Sequence, residues 1–129
     1  MERRIPWTVS RVVGSPDPPL PYTVERCFTN LAVKSPIYLA AEPGTNSLLL
    51  IQSVDGTSHI LRFDNDPDVS EAATLLEMSD RLVYGLTFHD KYSDNGFIYI
   101  FSNGPTSNKD RKNRISCFHI AREAPFTLD

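Results

Sequence analysis

Two stretches of the chain repeat one pattern, and their spacing limits what the chain can fold into. Ile37-Tyr-Leu-Ala-Ala-Glu-Pro-Gly-Thr-Asn46-Ser-Leu-Leu-Leu-Ile51 is echoed by Tyr84-Gly-Leu-Thr-Phe-His-Asp-Lys-Tyr-Ser-Asp-Asn95-Gly-Phe-Ile-Tyr-Ile100. In each, an apolar strand ends in a polar turn, passes an Asn and enters a stronger apolar strand. Leu39 and Leu86 match at a separation of 47 residues. That spacing lies in the range of β-propeller blades, roughly 40–50 residues of four antiparallel strands each.

The rest of the chain fits the same scheme, with apolar residues in bursts of strand length. The pattern predicts strands near Val24–Phe28, Ile37–Ala41, Leu48–Gln52, His59–Phe63, Ala73–Glu77, Tyr84–Phe88, Phe97–Ser102 and Ile115–Ile120. Between them stand Pro43-Gly44, Asp55-Gly56, Asn65-Asp66-Pro67, Asn95-Gly96 and Asn103-Gly104-Pro105, all turn chemistry. Only Val69–Met78 also reads as a helix, with Ser70 as its cap. An outer strand is the favoured reading there.

Residues 1–21 carry Pro6, Pro16, Pro18, Pro19 and Pro21, whose fixed φ and missing N–H exclude a helix or a central strand. A Pro-rich extended arm is expected, pinned along a domain surface; an SH3-type ligand is the other use of such a segment. The fold class predicted is therefore all-β: a partial propeller of about two antiparallel blades behind this arm, the first over about 36–78 and the second over about 83–129. The first has four predicted strands and the second three. A propeller closes with about 4–8 blades, so two cannot close, and open edges and a bare face are expected.

With 129 residues, 40% of them hydrophobic, the chain can bury one modest core. A net charge of -3 gives no general attraction to nucleic acid. No apolar run approaches the roughly 20 residues of a membrane span. Met1-Glu-Arg-Arg-Ile-Pro-Trp-Thr-Val has basic residues but no apolar stretch behind them, so no signal peptide is expected as written. The chain is then cytoplasmic, or sequence upstream of it is missing. Cys27 and Cys117 are the only thiols. They read as two small strand residues, with one disulfide between them as the alternative.

Few constellations suggest chemistry. His89-Asp90 is the one adjacent His–carboxylate pair, a combination that can orient a general base. Adjacent strand residues point to opposite faces, so a polar turn is the favoured reading. His59 and His119 read as edge or core imidazoles. Asp64-Asn-Asp-Pro-Asp68 with Ser70 opens like a calcium loop. It lacks the glycine at position six, where Val69 stands, and the terminal Glu, where Leu75 stands, so a solvated acidic loop is expected. Lys109-Asp-Arg-Lys-Asn-Arg114 reads as a solvated basic hairpin. Gly85 is expected where a side chain would crowd an inner strand.

Several of these phrases resemble one family. Tyr84-Gly-Leu-Thr-Phe-His-Asp-Lys-Tyr-Ser-Asp-Asn-Gly-Phe-Ile-Tyr-Ile-Phe resembles the Gly-Leu-Ala-Phe-His-Pro-Asp-Phe…Asn-Gly-Tyr-Val-Tyr-Val signature of the glucose/sorbosone dehydrogenases. Asn113-Arg-Ile-Ser-Cys-Phe118 resembles the Arg-Ile-Ser-Arg-Phe strand that follows it, and Ser35–Gly44 resembles the opening strand of the family's first blade. Arg11–Tyr22 is similar to lead-ins of propellers in large exported bacterial proteins, often fused to a c-type cytochrome. The resemblance spans most of residues 11–128 and about the first third of a family propeller. Asp90 departs from it, since the family usually has Pro there.

The resemblance implies a six-bladed propeller that uses pyrroloquinoline quinone (PQQ) and calcium to oxidise sugars or aldoses, periplasmic or exported. The family's catalytic His, its quinone-holding basic residues and its calcium ligands lie in later blades. Its sugar-site Gln falls near Asp80 in an ungapped alignment. The resemblance therefore carries no catalytic, cofactor-binding or metal residue onto this chain. The function expected is that of an N-terminal portion of such a dehydrogenase, inactive alone, whose partners are the remaining blades. The alternative is a small β-sheet module that pairs through its open edges with itself or another chain.

Overall fold

The computed structural model describes residues 14, 21–121, 123 and 126–129. The expected Pro-rich arm, save Gly14 and Pro21, lies outside the described residues. Strands β1 (Pro36–Ala41), β2 (Ser47–Val54), β3 (Thr57–Asp64) and β4 (Ala73–Met78) form one antiparallel sheet in chain order. Strands β5 (Leu82–Phe88), β6 (Phe97–Gly104) and β7 (Lys112–His119) form a second, also in chain order. A single helical turn, α1 (Tyr92–Asn95), sits between β5 and β6. The fold is all-β with two open meanders, as a partial propeller requires. Ala73-Thr-Leu-Leu-Glu-Met78 is the outer strand of the first sheet rather than a helix.

One expected strand does not form. Residues 24–28 make no ladder, and Val24 and Tyr22 are exposed. Phe28 takes a left-handed φ of 54°, and the Leu31 N–H bonds back to its carbonyl, so the chain turns where a strand would continue. The segment contributes side chains instead. Phe28, Leu31 and Val33 cover Leu48, Leu50, Leu61 and Phe63 on one face of the first sheet. The Phe28 and Phe63 rings meet edge to face at 5.3 Å.

The opposite face of the first sheet packs on the second sheet. Leu49, Ile51, Ile60 and Leu75 share one core with Val83, Leu86, Ile98 and Ile100. This explains the unbroken run Leu48-Leu-Leu-Ile51: β2 is apolar on both sides because both are covered. Ser58, buried in β3, accepts a hydrogen bond from the Val83 N–H at 2.9 Å and ties the sheets by a polar contact as well.

The two sheets are equivalent in register. Glu42 N–H bonds to Ser47 O at 2.9 Å, as His89 N–H bonds to Phe97 O at 3.0 Å. Leu39 pairs with Leu50 as Leu86 pairs with Ile100. The first strands thus repeat at 47 residues, as expected, but the second strands repeat at 50, Leu48 matching Ile98, because the turn holding α1 is three residues longer. The echo of Asn46 in Asn95 is one residue out of this register, and such a slip exchanges the two faces of a strand.

In the true register Leu48 and Leu50 correspond to Ile98 and Ile100, and Leu49, Ile51 and Ile60 correspond to Tyr99, Phe101 and Ile115. The second sheet therefore places on the first the same face that the first turns toward residues 28–33. The sheets stack back to front, as successive blades do.

Gly85 does not sit where it was expected to. It follows a bulge at Tyr84, and a Cβ built on it meets open space. Gly104, at the end of β6, is crowded instead. A Cβ there would stand 2.6 Å from the Asp80 carbonyl oxygen and 3.1 Å from the Arg81 Cα.

Candidate functional site

The polar turns that follow β1 and β5 occupy equivalent places and are built differently. Glu42 begins the first. Its carboxylate is buried, takes the Arg62 Nε–H at 2.7 Å and the Tyr92 hydroxyl at 2.5 Å, and also accepts from the Thr45 hydroxyl at 3.2 Å. Arg62 lies over the Phe126 ring, with its guanidinium carbon 3.9 Å from the centroid. A carboxylate taken out of water needs such a set of donors to stay charged. Glu42, in the turn after β1, and Arg62, in β3, belong to the first unit, and Tyr92 and Phe126 to the second, so the cluster clamps the two together.

His89 begins the second turn. Its Nδ1 accepts the Lys91 N–H at 3.0 Å and lies 3.0 Å from the Asn95 Nδ2. Accepting a backbone N–H puts the ring proton of a neutral imidazole on Nε2. The turn thus fixes the ring through Lys91 and Asn95, with Asp90 exposed beside it, and builds no His–carboxylate dyad. Of the other imidazoles, His59 stands half-buried on the inner strand β3 and His119 on the outer strand β7. His59 Nδ1 is 3.4 Å from Glu77, and His119 Nδ1 is 3.3 Å from Asp129.

Asp80 faces the β6–β7 hairpin. Its carboxylate accepts the Ser107 hydroxyl and N–H, both at 2.6 Å, and the Thr106 hydroxyl at 2.8 Å. The Ser107 hydroxyl, then the Thr106 hydroxyl and the Ser107 N–H, favour the charged form and lower its pKa from 3.8 to about 2. Asp80 is a clasp that holds the hairpin against the link between the sheets.

The remaining sequence candidates are surface features. Residues 64–68 form an exposed loop in which Asp66 accepts the Asp68 N–H at 2.9 Å. Among the described residues no three His, Cys, Asp or Glu side chains group as metal ligands would. Lys109 and Asp110 are exposed in the β6–β7 hairpin, and Arg111 bonds to the Thr106 carbonyl at 3.1 Å. Cys27 and Cys117 are free and exposed, so no disulfide joins them; Cys117 lies in β7, and Cys27 lies outside any strand. No helix among the described residues is long and apolar enough to cross a membrane.

The second sheet's outward face, expected from the sequence only as a bare face, is apolar. Gly85, Thr87, Tyr99, Phe101 and Ile115 line a shallow apolar groove. Ile115 is 73% exposed and Phe101 40%. Tyr84 packs its ring against Phe101 at 5.9 Å. The signal was present in Phe97-Ile-Tyr-Ile-Phe101, which is apolar on both faces, like β2, although the structure covers only one of them.

Comparison with known proteins found no match to any family model, curated protein or solved structure.

Proposed function

We propose that the chain supplies the first two blades of a larger propeller of the glucose/sorbosone dehydrogenase kind, and that it is catalytically inactive alone. The observation that carries this reading is the back-to-front stacking of two equivalent sheets, the relation by which propeller blades succeed one another. The local phrases around His89 and Asn113 add the resemblance to that family.

Quinone-dependent sugar oxidation requires a base within hydrogen-bond reach of the sugar hydroxyl and a quinone held against the same carbon. The turn at His89 supplies an imidazole engaged with Lys91 and Asn95. In the full propeller the two blades would contribute structure and one side of the site. PQQ and calcium would be held by residues of other blades.

The test is dye-linked oxidation of glucose and other aldoses by the purified chain with excess PQQ and calcium, beside a His89→Ala variant. No turnover and no tight quinone binding are expected. Turnover that disappears in the variant overturns the reading. A coding frame that continues beyond codon 129 into further blades supports the parent assembly, and a firm stop favours a stand-alone interaction module instead.

A further inference from the structure

The register between the sheets makes a specific statement about the bare face. Leu49, Ile51 and Ile60 lie on the face of the first sheet that the second sheet covers, and each is at most 1% exposed. Their counterparts are Tyr99, Phe101 and Ile115, which line the open groove. What covers the first three is the aliphatic back of the second sheet: Val83, Leu86, Ile98 and Ile100.

From this continuity with the interface inside the molecule we infer that the Tyr99–Phe101–Ile115 face is a docking surface for a third antiparallel sheet whose covering side is of branched aliphatics, like the back of β5 and β6. This names the partner of the assembly proposed above and rests on that reading. A second copy of the chain does not offer such a back, because Phe28, Leu31 and Val33 cover the corresponding face of its first sheet.

The last residues show the direction of approach. Leu128 pairs with Ile120, and Asp129 exchanges both backbone bonds with His119 at 2.7 and 3.1 Å. They form an isolated antiparallel bridge at the end of β7, on the edge that β4 occupies beside β3 in the first sheet. A third sheet entering along that edge would reach the bare face as β5 reaches the first sheet after β4.

The probe is the full chain carrying a C-terminal copy of its own residues 73–129, which offers a fourth strand and then the known aliphatic back. Cys117 reports coverage: it pairs with Tyr99 and projects from the same face as Ile115. With Cys27 and the appended Cys replaced by Ser, its labelling by a maleimide should slow at least about ten-fold relative to the unextended chain, since thiol reactivity follows access. Ile115→Lys in the first copy should restore fast labelling.

Unchanged labelling of the extended protein, whatever its cause, overturns the inference. So does an unextended chain that sediments as a dimer with Cys117 already protected, which would make the occupant a second copy. The readout is packing, so it fails or succeeds independently of the turnover assay.

Discussion

At the scale of single residues, the most consequential group is the Glu42 carboxylate. It is buried and held by Arg62, Tyr92 and Thr45. Removing it leaves Arg62 with its partner gone in a largely buried place, so Glu42→Ala should destabilise the protein by about 3 kcal/mol, read by chemical denaturation. Tyr92→Phe removes one hydrogen bond to the charge and should cost about 2 kcal/mol. The double variant should lose less than the sum, because both changes act on one network. Additive losses would show that Tyr92 does not act through Glu42.

Asp80 gives a pH signature of opposite emphasis. Its pKa is lower folded than unfolded, so its contribution is fully present above about pH 4 and is lost as the pH falls through about 2. The melting temperature of Asp80→Asn should therefore lie below that of the parent at neutral pH, and the gap should close between pH 4 and 2. A gap that stays constant to pH 2 would refute the clasp.

At the scale of elements, the seven strands of the described residues were all legible, because each is a short apolar burst closed by Gly, Pro, Asn or Asp, while one of the eight expected does not form. Val24–Phe28 has the same composition but bonds with no ladder, and the left-handed Phe28 turns it aside. Composition alone does not reveal whether a partner edge awaits a segment. Register was harder still. The matching Asn46 and Asn95 suggested an alignment one residue off, and only the hydrogen bonds of the turns show which residues share a face.

The Glu42 clamp was illegible for a related reason. Its members come from a turn, a strand, a helical turn and the C-terminal stretch, so no local pattern joins them. The glycines show the same limit. Gly85 reads as crowded from its neighbours in sequence, yet a Cβ there meets open space. Gly85→Val should be neutral or stabilising by about 0.5–1 kcal/mol, since a β-branched residue suits a strand better than glycine. Gly104→Ala instead forces atoms against the Asp80 and Arg81 backbone and should cost about 1–3 kcal/mol in thermal unfolding. A larger loss at Gly85 than at Gly104 would reverse this assignment.

At the scale of the whole molecule, the stack has one closed side and one open side, and the contrast is measurable at two equivalent residues. Ile60 and Ile115 hold the same position in the third strand of their sheets, paired with Ile51 and Phe101 respectively. Their surroundings differ entirely: Ile60 is 1% exposed beneath the second sheet, and Ile115 is 73% exposed. Ile60→Ala opens a cavity in the shared core and should destabilise the chain by about 2–5 kcal/mol. Ile115→Ala removes a side chain that packs on little and should change stability by no more than about 0.5 kcal/mol.

In a repeat whose blades were each self-sufficient, the two substitutions would cost alike. Here burial comes from the neighbouring sheet, so position in the stack decides the cost. Denaturant titrations of the two variants are the check. Comparable losses at both residues would mean that the Ile115 face is already covered in solution and that the stack does not end where the second sheet does.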